Sequence, residues 1–92
     1  MRFEWDPAKA RDNLRRHDVD FADAVIALED ENALTVEDVD HAERRFKTLG
    51  MGPQLGILLV VHAQRRADVI RIISARRATR KQTEQYFQGS GK

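Results

Sequence analysis

The sequence predicts an α+β domain in which two N-terminal helices pack on a four-stranded antiparallel sheet and a third helix closes the chain. Three observations predict it. Apolar residues recur at helical spacing as far as Leu28, then switch to a period near two from Ala33 onward. The stretch Asp68–Arg77 is β-branched from Val69 to Ile73 except at Arg71, and its length suits a strand rather than a helix. The turns between the strand segments are short, which suits antiparallel neighbours.

Each element has its own local cause. Arg2–Trp5 reads as a short edge strand. Asp6-Pro7 starts a helix, because Asp accepts hydrogen bonds from free amides and Pro is favoured at the first helical position. That helix runs to about Arg16 with Ala10 and Leu14 as a thin apolar stripe, and His17-Asp18-Val19 ends it. Asp20 caps a second helix whose Phe21, Ala24, Val25 and Leu28 form a core-facing stripe, and Glu29–Asn32 is the loop after it. Ala33–Glu37 is a strand, Asp38–Ala42 a polar turn, and Glu43–Leu49 a strand that stops at the breaker Gly50-Met-Gly-Pro53. Leu55–Ala63 is an apolar strand, and Gln64–Ala67 turns the chain into Asp68–Arg77. Strict alternation there puts Val69, Arg71, Ile73, Ala75 and Arg77 on one face, with Ile70, Ile72, Ser74 and Arg76 on the other. Thr79 caps a final helix to about Phe87. Residues 1–87 read as one domain, and 88–92 as a flexible tail that resembles part of a protease-cleavage tag.

Composition narrows the function. Without cysteine there is no disulfide, thiolate metal site or cysteine nucleophile. No apolar run approaches a membrane span, and the N-terminus lacks an apolar signal region, so the expected location is cytoplasmic. The net charge of +1 conceals a strong asymmetry. Residues 1–43 carry five Lys or Arg against thirteen Asp or Glu, whereas residues 44–92 carry eleven against two. Such a division suggests a basic surface for nucleic acid or an acidic partner, or two halves that attract each other within the fold.

Arg44, Arg45, Arg65, Arg66, Arg71, Arg76 and Arg77 lie on or beside three consecutive strands, close enough to converge across a sheet. Arginine forks hold phosphate oxygens through paired hydrogen bonds, and a solvated edge with internal ion pairs is the plainer reading. His17 stands at a helix end, where a cation also favours the carbonyl dipole. His62 alternates with apolar neighbours and reads as a hydrogen-bonded core or edge residue, while His41 sits in a polar turn. Three scattered histidines offer no metal-ligand spacing. Trp5 reads as packing beside Phe3, and Lys9 as an exposed helix residue. Tyr86 is either a helix anchor or a proton donor. No Gly-rich phosphate loop or other cofactor motif occurs.

Several segments together resemble the BrnT family of type II toxin–antitoxin systems. They are Phe3-Glu-Trp-Asp-Pro-Ala-Lys9, Asn13-Leu-Arg-Arg-His17, Val19-Asp-Phe21 with Ala24, Arg45-Phe46 with Leu49-Gly50, and Arg71-Ile-Ile-Ser-Ala-Arg76 with Ala78-Thr79. The resemblance spans residues 3–86 and implies a RelE-like fold and a ribonuclease that arrests translation. It also implies neutralisation by a BrnA-type antitoxin, and operator DNA bound only indirectly, through that antitoxin. Two positions depart from the family pattern: Asp18 replaces the usual Gly after His17, and Gln82 replaces a Glu in the final helix. A neutral Gln82 can neither take a proton nor pair ionically with an arginine.

Metal-independent RNA cleavage requires removal of a 2′-hydroxyl proton, charge neutralisation at the phosphate, and a proton for the leaving oxygen. The first reading places Arg45, Arg65, Arg71 and Arg76 around the phosphate. His17, Lys9 and Tyr86 then serve proton transfer or substrate orientation, with no metal and no cofactor. The second reading, which Gln82 favours, is a catalytically weakened module that binds the antitoxin and contributes to promoter autoregulation. A stand-alone DNA-binding domain is third and lacks a helix-turn-helix signature.

Overall fold

The computed structural model describes residues 1–39 and 43–90. In chain order the elements are β1 (Arg2–Glu4), α1 (Pro7–His17), α2 (Phe21–Leu28), β2 (Leu34–Asp38), β3 (Arg45–Met51), β4 (Ile57–Arg66), β5 (Val69–Arg77) and α3 (Arg80–Ser90). A single 3₁₀ turn, Pro53–Leu55, separates β3 from β4.

The strands form one five-stranded mixed sheet in the order β1-β5-β4-β3-β2. This corrects the four-stranded antiparallel sheet expected from sequence. β2 to β5 are antiparallel neighbours, but β1 joins the outer edge of β5 in parallel, with Glu4 opposite Arg71. The chain leaves β1, crosses one sheet face as α1 and α2, and re-enters at the opposite edge as β2. Pairing between the first and last strands leaves no mark on local periodicity, so the sequence showed β1 only as an edge.

α1 begins where expected: the Asp6 carboxylate accepts the Ala8 amide at 2.9 Å, and Pro7 is the first helical residue. It ends at Asp18, whose φ of 57° is the left-handed cap conformation that Asp tolerates in place of Gly. Asp20 caps α2 through the Ala22 amide. Val19, Phe21, Ala24 and Ala27 then pack on Leu58, Val60, Ile72 and Ala75 to form the main core. Burying a side chain the size of Phe21, Val60 or Ile72 contributes about 1.5–3 kcal/mol.

α2 lies so close to the sheet that a Cβ on Gly50 would sit 2.1 Å from the Ala27 carbonyl oxygen. Gly50 is therefore not part of a breaker; it lies inside β3 because only a residue without a side chain fits beneath the helix. α3 lies on the opposite sheet face, where Tyr86 packs with Leu49, Ile57 and Leu59, and it continues past Phe87 to Ser90. β4 also runs beyond Ala63 to Arg66, leaving only Ala67 and Asp68 to turn into β5.

A bulge re-aims β5. Val61 faces Ser74 but His62 faces Ile72, so Ile73 is the extra residue. Arg71 pairs with Ala63 and Arg76 with Leu59, two positions on the same side of β4. The bulge therefore brings Arg71, Ser74 and Arg76 to one face. Uninterrupted alternation had separated Arg71 from Arg76, and the inserted residue overturns that expectation.

Asn13 closes the β5 edge beyond the short β1. Its amide nitrogen donates to the carbonyls of Val19 (2.9 Å) and Ala75 (2.8 Å), and its oxygen accepts the Ala75 amide (3.0 Å). One buried side chain thus takes the place of a missing strand and fixes α1 against β5. Among the described residues no helix is long and apolar enough to cross a membrane.

A candidate nucleic-acid interface on the open sheet face

Register-paired residues project to the same side of a sheet, so transverse rows can be read directly. One row crosses all five strands as Asp38, Arg45, Ala63, Arg71 and Glu4. The next is Val36, Lys47, Val61 and Ser74, and the third is Leu34, Leu49, Leu59 and Arg76. α3 covers the apolar part of the third row, with Tyr86 on Leu49 and Leu59. The first two rows form the open surface, with Arg76 at the border beside α3.

The cations of this surface are linked by carboxylates. Arg71 Nη1 lies 3.1 Å from Glu4 Oε2, and Arg65 Nε lies 3.8 Å from the same atom. Glu43 then joins Arg65 (3.9 Å) to Arg45 (3.0 Å), and Asp38 meets Lys47 at 3.8 Å. The result is a chain Arg71–Glu4–Arg65–Glu43–Arg45 across the sheet. Partly exposed pairs of this kind are worth about 0–1 kcal/mol each, so a ligand phosphate can replace the carboxylates at little cost.

Arg76 sits at the start of α3. Its Nη1 donates to the Arg77 carbonyl at 3.1 Å and reaches Gln82 Oε1 at 3.5 Å. Gln82 Oε1 also accepts the Thr79 amide, while the Gln82 amide donates to Thr79 Oγ1. This is a reciprocal capping box, which Gln completes as well as Glu. Only the charge facing Arg76 is lost.

The other sequence candidates lie elsewhere. Lys9 and His17 flank Asn13 at helical spacing on α1, and they line a cleft of about 380 Å³ with Asp12, Arg16, Ile73 and Ser74. Hydrogen bonding from Arg15, and then Arg16, outweighs partial desolvation and holds the Asp12 carboxyl below its usual range. Ser74 belongs both to this cleft and to the second row of the open face, so the two surfaces meet there.

Tyr86 is buried, and its hydroxyl donates to Asp30 at 2.5 Å. Burial, then the Asp30 bond, pushes its pKa up to about 12. Burial works against Asp30, but bonds from Tyr86 and the Met51 and Asn32 amides hold its carboxyl below the usual range. Geometry thus makes Tyr86 an anchor of α3 rather than a group facing the arginines.

His62 is buried on the helix-covered face, stacks on Phe46 and bonds Thr48 Oγ1 through Nε2 at 2.8 Å. Burial lowers its pKa to about 4, so it is neutral. Trp5 packs edge-on against Phe21. Arg77 is exposed near Asp18 on the helix side, and Arg44 lies over Phe46 and pairs with Glu37. His41 lies outside the described residues.

Sequence reasoning missed Glu4, Lys47 and Ser74. Lys47 carried a usable signal, since it follows Arg45 at strand spacing. Glu4 carried none, because its place beside Arg71 depends on the parallel pairing of β1. Among the described residues no group of three or more His, Asp or Glu is placed to hold a metal ion.

Comparison with known proteins agrees with this architecture. The family described as "Ribonuclease toxin, BrnT, of type II toxin-antitoxin system" matches residues 5–82. The crystal structure of the Brucella abortus ribonuclease toxin BrnT is similar, with a TM-score of 0.66 and 26% sequence identity. The match covers 87% of this chain and 99% of that one. No curated protein matches significantly.

Proposed function

Because the chain belongs to the BrnT family of ribonuclease toxins of type II toxin–antitoxin systems, we propose that its open arginine face binds and cleaves RNA. Cleavage proceeds without a metal ion, by attack of a 2′-hydroxyl on the adjacent phosphate, and arrests translation in the cytoplasm until a BrnA-type antitoxin covers the toxin. Operator DNA is engaged only through that antitoxin.

One observation carries the reading: Arg45, Arg65, Arg71 and Arg76 reach one open face, and the first three are linked by carboxylates that a phosphate can displace. Guanidinium groups fixed on strands suit a phosphate whose charge grows in the transition state, and need no reorganisation when it does. Lys9 and His17 enter at the Ser74 border, where they orient the strand.

The test is growth after inducing the chain alone. Arg76→Ala is expected to abolish arrest while the protein stays folded and still binds its antitoxin. Full toxicity in that variant removes Arg76 from the catalytic set.

A second reading rests on Gln82, which contacts Arg76 as a neutral amide. If that position needs a carboxylate, the chain is a weakened enzyme whose main work is antitoxin binding and promoter autoregulation. Arrest by Gln82→Glu, with none by the unaltered chain, would select it.

A further inference from the structure

Attack by a 2′-hydroxyl needs a proton acceptor beside the bound phosphate. The sequence candidates for proton transfer do not meet that need on the arginine face. Tyr86 is tied to Asp30, and His62 is buried under the helices. Lys9 and His17 lie in the α1 cleft. The face itself, apart from its cations, carries the carboxylates of Glu4, Asp38 and Glu43.

Glu4 is the best placed of the three. It is the last residue of β1, fixed in register opposite Arg71, and half-exposed. Both arginine contacts among the described residues fall on the same oxygen, Oε2. Asp38 is engaged by Lys47, and Glu43 lies before β3 begins, outside the strand framework. A phosphate that takes Arg71 and Arg65 from Glu4 comes to rest beside the carboxylate it displaces.

Resting on the ribonuclease reading above, we infer that Glu4 is the general base of the cleavage reaction. The Glu4 carboxylate takes the 2′-hydroxyl proton as the O2′–P bond forms. The P–O5′ bond breaks, leaving a 2′,3′-cyclic phosphate on one fragment. The departing 5′-oxygen takes a proton from water and becomes a 5′-hydroxyl; the resulting hydroxide takes the proton back from Glu4. Arg71 and Arg65 stay on the phosphate oxygens throughout. Among the described residues, the charged groups paired with Glu4 are Arg71 from β5 and Arg65 from β4. Glu43 and Arg45 are linked through Arg65, and Arg2 lies two residues back on β1.

The experiment is single-turnover cleavage of a short RNA by the purified full chain, from acid to neutral pH, beside Glu4→Gln, Glu4→Asp and Glu43→Gln. Circular dichroism confirms folding, and RNA affinity is measured separately. Glu4→Gln is expected to lower the rate by about 100-fold or more, to bind RNA at least as tightly, and to lose the acid limb of the pH profile. Glu4→Asp should keep that limb at a reduced rate, and the unaltered chain should leave cyclic phosphate ends. A full rate in Glu4→Gln, or a loss seen only in affinity, overturns the assignment, as does a comparable rate loss in Glu43→Gln alone. Faster cleavage in Glu4→Gln also overturns it, making Glu4 a plug on the arginines. Silence of the unaltered chain overturns the ribonuclease reading as well, which distinguishes that failure from the failure of Glu4.

Discussion

His62 illustrates how one buried side chain sets a condition on the whole fold. Its ring is neutral, with a pKa of about 4 against an ordinary 6.5. As the pH falls below 6.5, the unfolded chain takes up the proton first. Stability is therefore full above that value and drains away until the folded ring also protonates near pH 4. The loss is about 3 kcal/mol. Urea unfolding across this window should show it, and His62→Gln should flatten the slope; an unchanged slope would mean that other groups cause the acid loss. Sequence suggested a hydrogen-bonded core or edge residue here, because apolar neighbours on a strand already argue for burial. The roles of Asn13 and Glu4 were not legible in the same way. Each depends on a partner more than sixty residues away, Ala75 for one and Arg71 for the other.

Elements were largely readable where their signals are local. Asp6-Pro7 and Asp20 mark two helix starts, and Thr79 the third, because caps satisfy amides within three residues. The period change after Leu28 separates helix from strand for the same reason. Three features of the sheet escaped: the parallel β1, the bulge at Ile73 and a second register shift between Gln64 and Arg66. An extra residue in a β-branched run looks like one more strand position, yet it decides that Arg71 and Arg76 share a face. Gly50 escaped differently, since glycine reads as a turn until the helix above it is seen. Gly50→Ala pushes a methyl into the Ala27 carbonyl and forces α2 off the sheet. Overpacking of this kind costs about 1–3 kcal/mol or more, so the urea midpoint should fall markedly. An unchanged midpoint would show that α2 does not approach β3 so closely.

At the scale of the whole molecule, part of the charge asymmetry is met by attraction between the two halves, one of the readings that the composition allowed. Acidic residues from the first half, Glu4 and Glu43, pair with arginines of the second. Those same pairs mark the surface proposed for RNA. The candidate site was thus half legible: its arginines could be named from sequence, but their common face and their carboxylate partners required the fold. On the function proposed above, this face, rather than positive charge in general, cleaves RNA. The direct measurement is cleavage of a defined RNA by the purified chain beside Arg71→Ala and Arg77→Ala. Arg71 lies in the open row, whereas Arg77 lies exposed on the opposite side near Asp18. Arg71→Ala is expected to lose about 100-fold or more of the rate, while Arg77→Ala cuts at the rate of the unaltered chain. Equal losses in the two variants, or none in either, would contradict that reading.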